Sequence, residues 1–295
     1  MAEIAYLGGG SMGQAMAGRH LSAGHTVTIY NRTPEKLAGL AARGARIATT
    51  PREAVAGAQI VFSSVTDDAA SRSVWLGSDG ALAGNLVGGA LLVEHSTLSH
   101  EWVLELSGIV VSRGMRYVDC PVAGRPDAAA AGQLIIFAGA SQADLNEVTP
   151  YIAPISKELF HFGPVGSGTA FKLIYNLMGV VQIVALAEGL AAAEAAGIDP
   201  RVAAKAFARG NTGSGHVIKH GPFMAEGVHE DPPGFTGRGR LKDSTYGVQL
   251  EEKLGQRPRV GRAALAAYQE MVDLGMGAEA DSRLIDVVKR HLAIA

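Results

Sequence analysis

The opening of the chain constrains its fold most, because a strand, a glycine turn and a helix follow one another without a break. Residues 4–7 read as a short buried strand, and Gly8-Gly9-Gly10-Ser11-Met12-Gly13 follows at once. Met16, Ala17 and Leu21 then recur at helical spacing as far as Gly24, and Thr26–Tyr30 reads as a second strand. A bare G-x-G-x-x-G is weak in a chain with 38 glycines. Between a strand and a helix it acquires a mechanism. The glycines permit a tight turn, close approach of a pyrophosphate to backbone N–H groups, and close helix–strand packing. Gly8, Gly10, Ser11, Met12 and Gly13 are therefore candidate dinucleotide-binding residues.

The end of the second strand selects the dinucleotide. An NAD site usually places Asp or Glu there, to accept from the ribose 2′-OH. This chain has Asn31-Arg32-Thr33. The acceptor carboxylate is missing, and a guanidinium beside a hydroxyl suits a 2′-phosphate. The expected cofactor is NADP(H).

Alternation continues with a helix over 34–43, a strand over 46–48, a helix over 51–56 and a strand over 59–64. Val65-Thr66-Asp67 closes that strand, where a doubly wound sheet presents its ligand crevice. A helix over 69–75 precedes a strand over 90–94 that ends in His95-Ser96-Thr97, and a helix over 102–113 leads to a strand over 117–119. Cys120-Pro121-Val122-Ala123-Gly124-Arg125 reads as a turn at that strand end. Further elements are a strand over 133–137, a helix over 142–151 and a strand over 159–162.

Next comes Gly163-Pro-Val-Gly-Ser-Gly-Thr-Ala-Phe-Lys172-Leu-Ile-Tyr-Asn176, a glycine turn that opens the longest helical pattern in the chain, running to Ala196. Gly197 offers a C-terminal stop, and Asp199-Pro200 an N-cap and first-turn proline. Roughly 30 helical residues span about 45 Å, so this helix should belong to two domains or two subunits at once. Lys172, Gln182, Glu188 and Glu194 interrupt its apolar run and argue against a membrane span. Lys172 sits early in the helix, where the dipole works against a cation, and Asn176 shares its face at i+4. A glycine turn that admits another backbone or a ligand lies just before it, which favours a functional lysine.

After Asp199 every pattern is helical, over 201–208, 216–224, 241–254, 263–274 and 281–292, with a Gly- and Pro-rich loop over 227–239. The expected fold class is α/β: a Rossmann-type dinucleotide-binding domain over 1–165, a long interdomain helix over 166–197 and an all-α C-terminal domain over 198–295.

The totals agree. The apolar share is 47% and the charged share 18%, as in an ordinary globular protein with a sizeable core. A formal net charge of −2 without a basic stripe gives no footprint for nucleic acid. One cysteine, Cys120, excludes an internal disulfide and fits a reducing, cytoplasmic setting. The N-terminus carries no basic targeting region. His216 and His220 stand at i, i+4, but without a third ligand or an intervening Glu they give no metal expectation.

Four separated segments resemble one family in order and spacing. Gly8-x-Gly10-x-Met12-Gly13-x-x-Met16-Ala17, Asp119-x-Pro121-Val122-x-Gly124, Gly163-x-x-Gly166-x-Gly168-x-x-x-Lys172-x-x-x-Asn176 and Lys242-Asp243 resemble the β-hydroxyacid dehydrogenases over essentially the whole chain. That family includes 3-hydroxyisobutyrate dehydrogenase and the glyoxylate/succinic semialdehyde reductases. The resemblance implies that Lys172 is the catalytic lysine and that Asn176 positions the substrate oxygen. It implies that Ser96 and Thr97 lie beside the nicotinamide and its ribose, that Lys242 reaches the cofactor, and that Asp243 fixes its helix. Pro121, Val122, Ala123, Gly124, Arg125 and Tyr175 would line the substrate site. The helical domain would help build the pocket and a homodimer or tetramer, with a small molecule as partner and neither nucleic acid nor membrane involved.

The departures bear on the substrate. Ala123-Gly124-Arg125 stands where the family usually has Ser-Gly-Gly, and that serine helps hold the substrate carboxylate. Tyr175 replaces a frequent asparagine, and the stretch before Lys242 is more basic than the family pattern. An imine reductase on the same scaffold is a second reading, encouraged by Ala123 and discouraged by Lys172. A non-catalytic NADP-binding protein is a third, and the intact Lys172 and Asn176 weigh against it.

Overall fold

The computed structural model describes residues 1–292; the last three residues of the expected 198–295 domain lie outside the described residues. Two compact units divide between Lys172 and Leu173, inside the long helix.

In the first unit, six parallel strands stand in the order β3-β2-β1-β4-β5-β6: β1 Glu3–Leu7, β2 Thr26–Tyr30, β3 Arg46–Ala48, β4 Ile60–Ser63, β5 Leu91–Glu94 and β6 Arg116–Asp119. This is the arrangement of a doubly wound sheet, with its switch point between β1 and β4. The central strands β4 and β5 are buried along their whole length, as parallel strands covered by helices on both faces are. Four helices are α1 Ser11–Ser22, α4 Asp68–Leu76, α5 His100–Ser112 and α7 Gln142–Ile152, while α2 Ala38–Ala41 and α3 Pro51–Ala54 are single turns. One core holds Tyr6, Met16, Phe62 and Val118; another holds Leu7, Trp75, Leu92 and Trp102.

Several expectations change here. The helix expected over 34–43 is a 3-10 turn, Pro34–Leu37, followed by α2, because Gly39 and the surface setting give little to propagate it. The segment 120–125 is more than a turn. Val122–Ala123 forms β7, antiparallel to β8 Leu134–Gly139, and Pro126–Ala130 forms α6 with proline at its first turn. The strand expected over 159–162 is β9, Ser156–Gly163, an edge strand parallel to β8. Its first residues include the polar Lys157 and Glu158, which an edge strand tolerates and which carry no apolar pattern.

The long helix is α8, Ser167–Ala195, and Gly197 adopts φ +78° just beyond its end. By length and composition it could cross a membrane, yet Leu173, Leu177, Val180, Ile183 and Leu190 are buried in the protein. The second unit adds α9 Pro200–Arg209, α10 Gly215–Glu226, α11 Gly237–Lys253, α12 Arg259–Asp273 and α13 Leu284–Leu292. The loop expected over 227–239 ends earlier, since Thr236 caps α11 by accepting from the Gly239 amide. The helix also takes in Arg240, whose guanidinium lies 2.9 Å from the buried Asp281 carboxylate. That partner supplies what helix propensity in a glycine-rich stretch does not.

Candidate active site

The parallel strands end on one edge, and the glycine turn occupies its centre. Gly8 adopts φ +105°, and its amide donates to the Tyr30 carbonyl at 3.0 Å. A Cβ on Gly8 would lie 2.2 Å from the Ser64 carbonyl oxygen, and one on Gly13 would lie 2.0 Å from that of Gly8. Gly8 and Gly13 are thus dictated by packing. Gly10 differs, because a Cβ there would meet nothing within 4 Å. It is exposed and precedes α1, whose first turn has neither a capping side chain nor an acidic residue. Open space in front of uncapped helix amides is what a pyrophosphate needs. Ser11 is exposed and Met12 half-buried beside it.

At the end of β2 the three candidates divide. Asn31 is half-buried, and its Nδ2 donates to the Thr33 carbonyl at 2.8 Å, so it shapes the loop. Arg32 and Thr33 are exposed, and the Thr33 hydroxyl makes no cap bond.

The ends of β4 and β5 are stitched together, with the Val65 amide donating to Ser96 Oγ at 2.7 Å. Ser96 is buried and Thr97 half-buried; Thr66 is exposed and bonds Asp67, which caps α4 by accepting from Ala70 N at 2.8 Å. His95 is buried against Phe62, with ring centroids 5.0 Å apart and nearly parallel planes. Its Nδ1 donates to the Cys120 carbonyl at 2.7 Å, and burial pushes its pKa down to about 4. A neutral, inward-facing ring of this kind is a structural group.

Asp119 closes β6 and has a role that motif spacing did not reveal. Its Oδ1 accepts from Gly166 N at 2.7 Å and its Oδ2 from Thr169 N at 2.6 Å. One carboxylate therefore caps the N-terminus of α8 and fixes it to the C-terminal edge of the sheet. Burial raises its pKa, while those two amides pull it the other way. The close approach that Gly168 permits is to protein backbone: a Cβ there would lie 2.3 Å from the Phe137 carbonyl oxygen. An aspartate at a buried strand end was the available signal for this role. Glu94, an equally buried acid at the end of β5, carried the same signal and was also missed.

Beyond β6, Pro121 and Cys120 are buried, and burial pushes the Cys120 thiol up, away from nucleophile chemistry. Val122 is half-buried and Ala123 buried in β7. Gly124 has φ +138°, a conformation that L side chains rarely adopt, and a Cβ there would lie 2.6 Å from Leu134 Cδ2. Arg125 is half-buried at the start of α6, with its Nε 4.0 Å from Asp127 Oδ1.

Lys172 and Asn176 are both buried, one helical turn apart on α8. Tyr175 is 42% exposed and does not share their burial. Asn176 Nδ2 donates to Asp243 Oδ2 at 2.7 Å, and Lys242 Nζ stands 3.1 Å from Asp243 Oδ1. Because a carboxylate can only accept, Asp243 fixes which way the Asn176 amide faces. Elsewhere in the helical unit, His220 stands 3.2 Å from Asp281 Oδ2, and the described residues contain no cluster able to hold a metal ion.

Comparison with known proteins covers the chain in two parts. The family described as the NAD binding domain of 6-phosphogluconate dehydrogenase matches residues 3–163. The family described as NAD-binding of NADP-dependent 3-hydroxyisobutyrate dehydrogenase matches residues 166–288. Glyoxylate/succinic semialdehyde reductase 1 of Arabidopsis thaliana is 30% identical, over 97% of this chain and 98% of its own. An NAD-dependent L-serine dehydrogenase of Pseudomonas aeruginosa is 29% identical, over 93% and 94%. Among solved structures, 3-hydroxyisobutyrate dehydrogenase of Mycobacterium tuberculosis with L-serine superposes with a TM-score of 0.88 at 26% identity, over 98% and 99% of the two chains. An imine reductase of Streptomyces aurantiacus shares the fold at 21% identity and a TM-score of 0.62, over 98% and 99%.

Proposed function

The chain belongs to the β-hydroxyacid dehydrogenases, NAD(P)-dependent oxidoreductases acting on CH–OH and C=O groups, and from that membership we propose an NADPH-dependent reductase of small aldehydes or keto acids, reversible to the hydroxy acid. The observation that carries this reading is the buried Lys172–Asn176 pair on a helix whose N-terminus Asp119 pins to the ligand edge of the sheet. Bound NADPH supplies the hydride. As the substrate carbon accepts it, negative charge grows on the carbonyl oxygen, which then needs a cation or proton donor within hydrogen-bond reach. The Lys172 ammonium provides both, and in the oxidative direction the amine takes the proton from the hydroxyl. Asn176, oriented by Asp243, holds that oxygen in place.

The phosphate end supports NADP(H) over NAD(H). Arg32 and Thr33 are exposed at the end of β2, and Asn31-Arg32-Thr33 carries no carboxylate. Ala123 removes a hydroxyl from the carboxylate end of the substrate site, and Arg125, two residues on, offers a charge-assisted replacement. Acids such as glyoxylate or succinic semialdehyde, named in the plant relatives, are the preferred class. A homodimer in the cytoplasm remains our reading of the assembly, supported by the exposed apolar run Ile174, Tyr175 and Met178 on α8 and by the single cysteine. Reduction of an imine is the second reading; Ala123 favours it, and a lysine at position 172 disfavours it.

A substrate panel tests the proposal. NADPH oxidation is followed with glyoxylate, succinic semialdehyde, an uncharged aldehyde of similar length and a cyclic imine. Lys172→Ala should lower turnover by about 10²–10⁴ and leave NADPH binding in place. Arg125→Ala should cost about 2 kcal/mol on the acid alone. Turnover of the imine only would replace the reading, and intact turnover in Lys172→Ala would remove the lysine from the chemistry.

A further inference from the structure

Glu94, at the end of β5, is fully buried and takes no part in the chemistry above. Its Oε1 accepts from the Ser96 amide at 3.1 Å. Its Oε2 accepts from Trp75 Nε1 at 3.2 Å and from the Ser71 hydroxyl at 3.5 Å, both on α4. Ser96 is thus held to Glu94 through its backbone amide, and its Oγ accepts from the Val65 amide at 2.7 Å. A carboxylate held this way by neutral donors orients every one of them, because it can only accept. The line of bonds runs from α4 through Glu94 and Ser96 to Val65. It joins the C-terminal ends of β4 and β5 just beyond the bonds from Ser64 N to the Leu7 carbonyl and from His95 N to the Ser63 carbonyl. Gly8 of the glycine turn packs on the Ser64 carbonyl, whereas a Cβ on Gly10 would meet nothing within 4 Å; Gly10 and Arg32 are outside this line of bonds.

We propose that Glu94 is a positioning residue for the nicotinamide half of the cofactor, setting through Ser96 the Val65–Thr66 and Ser96–Thr97 segments that this half binds. The inference rests on the NADP(H) reading above. It separates the two halves of the cofactor site. Gly10 and Arg32 would hold the adenine half without help from Glu94, whereas the nicotinamide half depends on it.

Glu94→Gln keeps the shape but turns one acceptor oxygen into a donor, set against either the Ser96 N–H or the Trp75 N–H. Calorimetric titration of the full-length protein with NADPH and with adenosine 2′,5′-bisphosphate reads the two halves separately. The dissociation constant for NADPH should rise about tenfold, the worth of one buried hydrogen bond, while that for the bisphosphate stays within about twofold. Ser96→Ala cuts the same line and leaves Glu94 with its α4 partners, so it should reproduce the split even where Glu94→Gln does not fold. Equal losses on both probes would show only general loosening and overturn the proposal, as would unchanged NADPH affinity in both variants. A wild-type protein that binds neither probe would overturn the cofactor reading first and this inference with it.

Discussion

Mild acid should destabilise the first unit before most of its exposed carboxylates titrate. His20 and His95 lie on either side of Phe62, with ring centroids 5.1 and 5.0 Å from it. His20 Nε2 stands 2.6 Å from the Tyr151 carbonyl, which can only accept, so Nδ1 is left to accept from the Tyr6 hydroxyl at 2.8 Å. His95 donates through Nδ1 to the Cys120 carbonyl, and its Nε2 has no hydrogen-bond partner. A second proton on His95 has no acceptor waiting, one on His20 would have to reverse the Tyr6 hydroxyl bond, and burial pushes both pKa values down to about 4. The unfolded chain, with histidines near the ordinary value of about 6.5, takes up protons that the folded chain refuses. Stability is therefore complete above about pH 6.5 and falls as the pH drops toward about 4. Between about pH 7.5 and about pH 5 each histidine should cost about 2 kcal/mol, or about 4 kcal/mol together. The chain has 2 tryptophans, Trp75 and Trp102, both buried in this unit, so urea unfolding followed by their fluorescence reports on it alone. His20→Gln and His95→Gln should each remove a share of the pH dependence on the order of 2 kcal/mol, whatever they do to stability near neutrality. A wild-type stability that is flat across this window, or variants that both keep its slope, would refute the reasoning.

Two further outcomes are expected. Arg32→Ala should raise the KM for NADPH with little change for NADH, and equal use of both cofactors by the wild type would count against the 2′-phosphate assignment. Asp119→Ala leaves two buried amides of α8 without an acceptor and should cost about 3–5 kcal/mol in the same urea experiment, with Asp119→Asn near half of that; a loss below about 1 kcal/mol would sink the capping role.

Residues in contact along the chain were the ones sequence could read. A glycine forced by a turn, a proline at a helix start and apolar periodicity in α8 all act over a few residues, so their meaning survives without the fold. Gly8 and Gly13 needed only a strand before and a helix after them to be recognised. Where polar residues made the core contacts, the reading ran out. Arg238 and Arg240 made the start of α11 look like loop, because the partner that buries Arg240, Asp281, lies 41 residues further on. β9 looked like coil beyond its centre because an edge strand need not be apolar.

The sequence by itself therefore determined the doubly wound sheet, the dinucleotide turn, the long helix and the candidates Lys172 and Asn176, because each is encoded by local spacing. Only the tertiary structure decided that Asp119 caps α8, that Asp243 turns the Asn176 amide, and that Glu94 holds Ser96. The reason is physical. A buried carboxylate is tolerable only where donors converge on it, and those donors come from segments 47, 67 and 2–23 residues away. Convergence of that kind belongs to the packed chain, and spacing along the sequence does not record it.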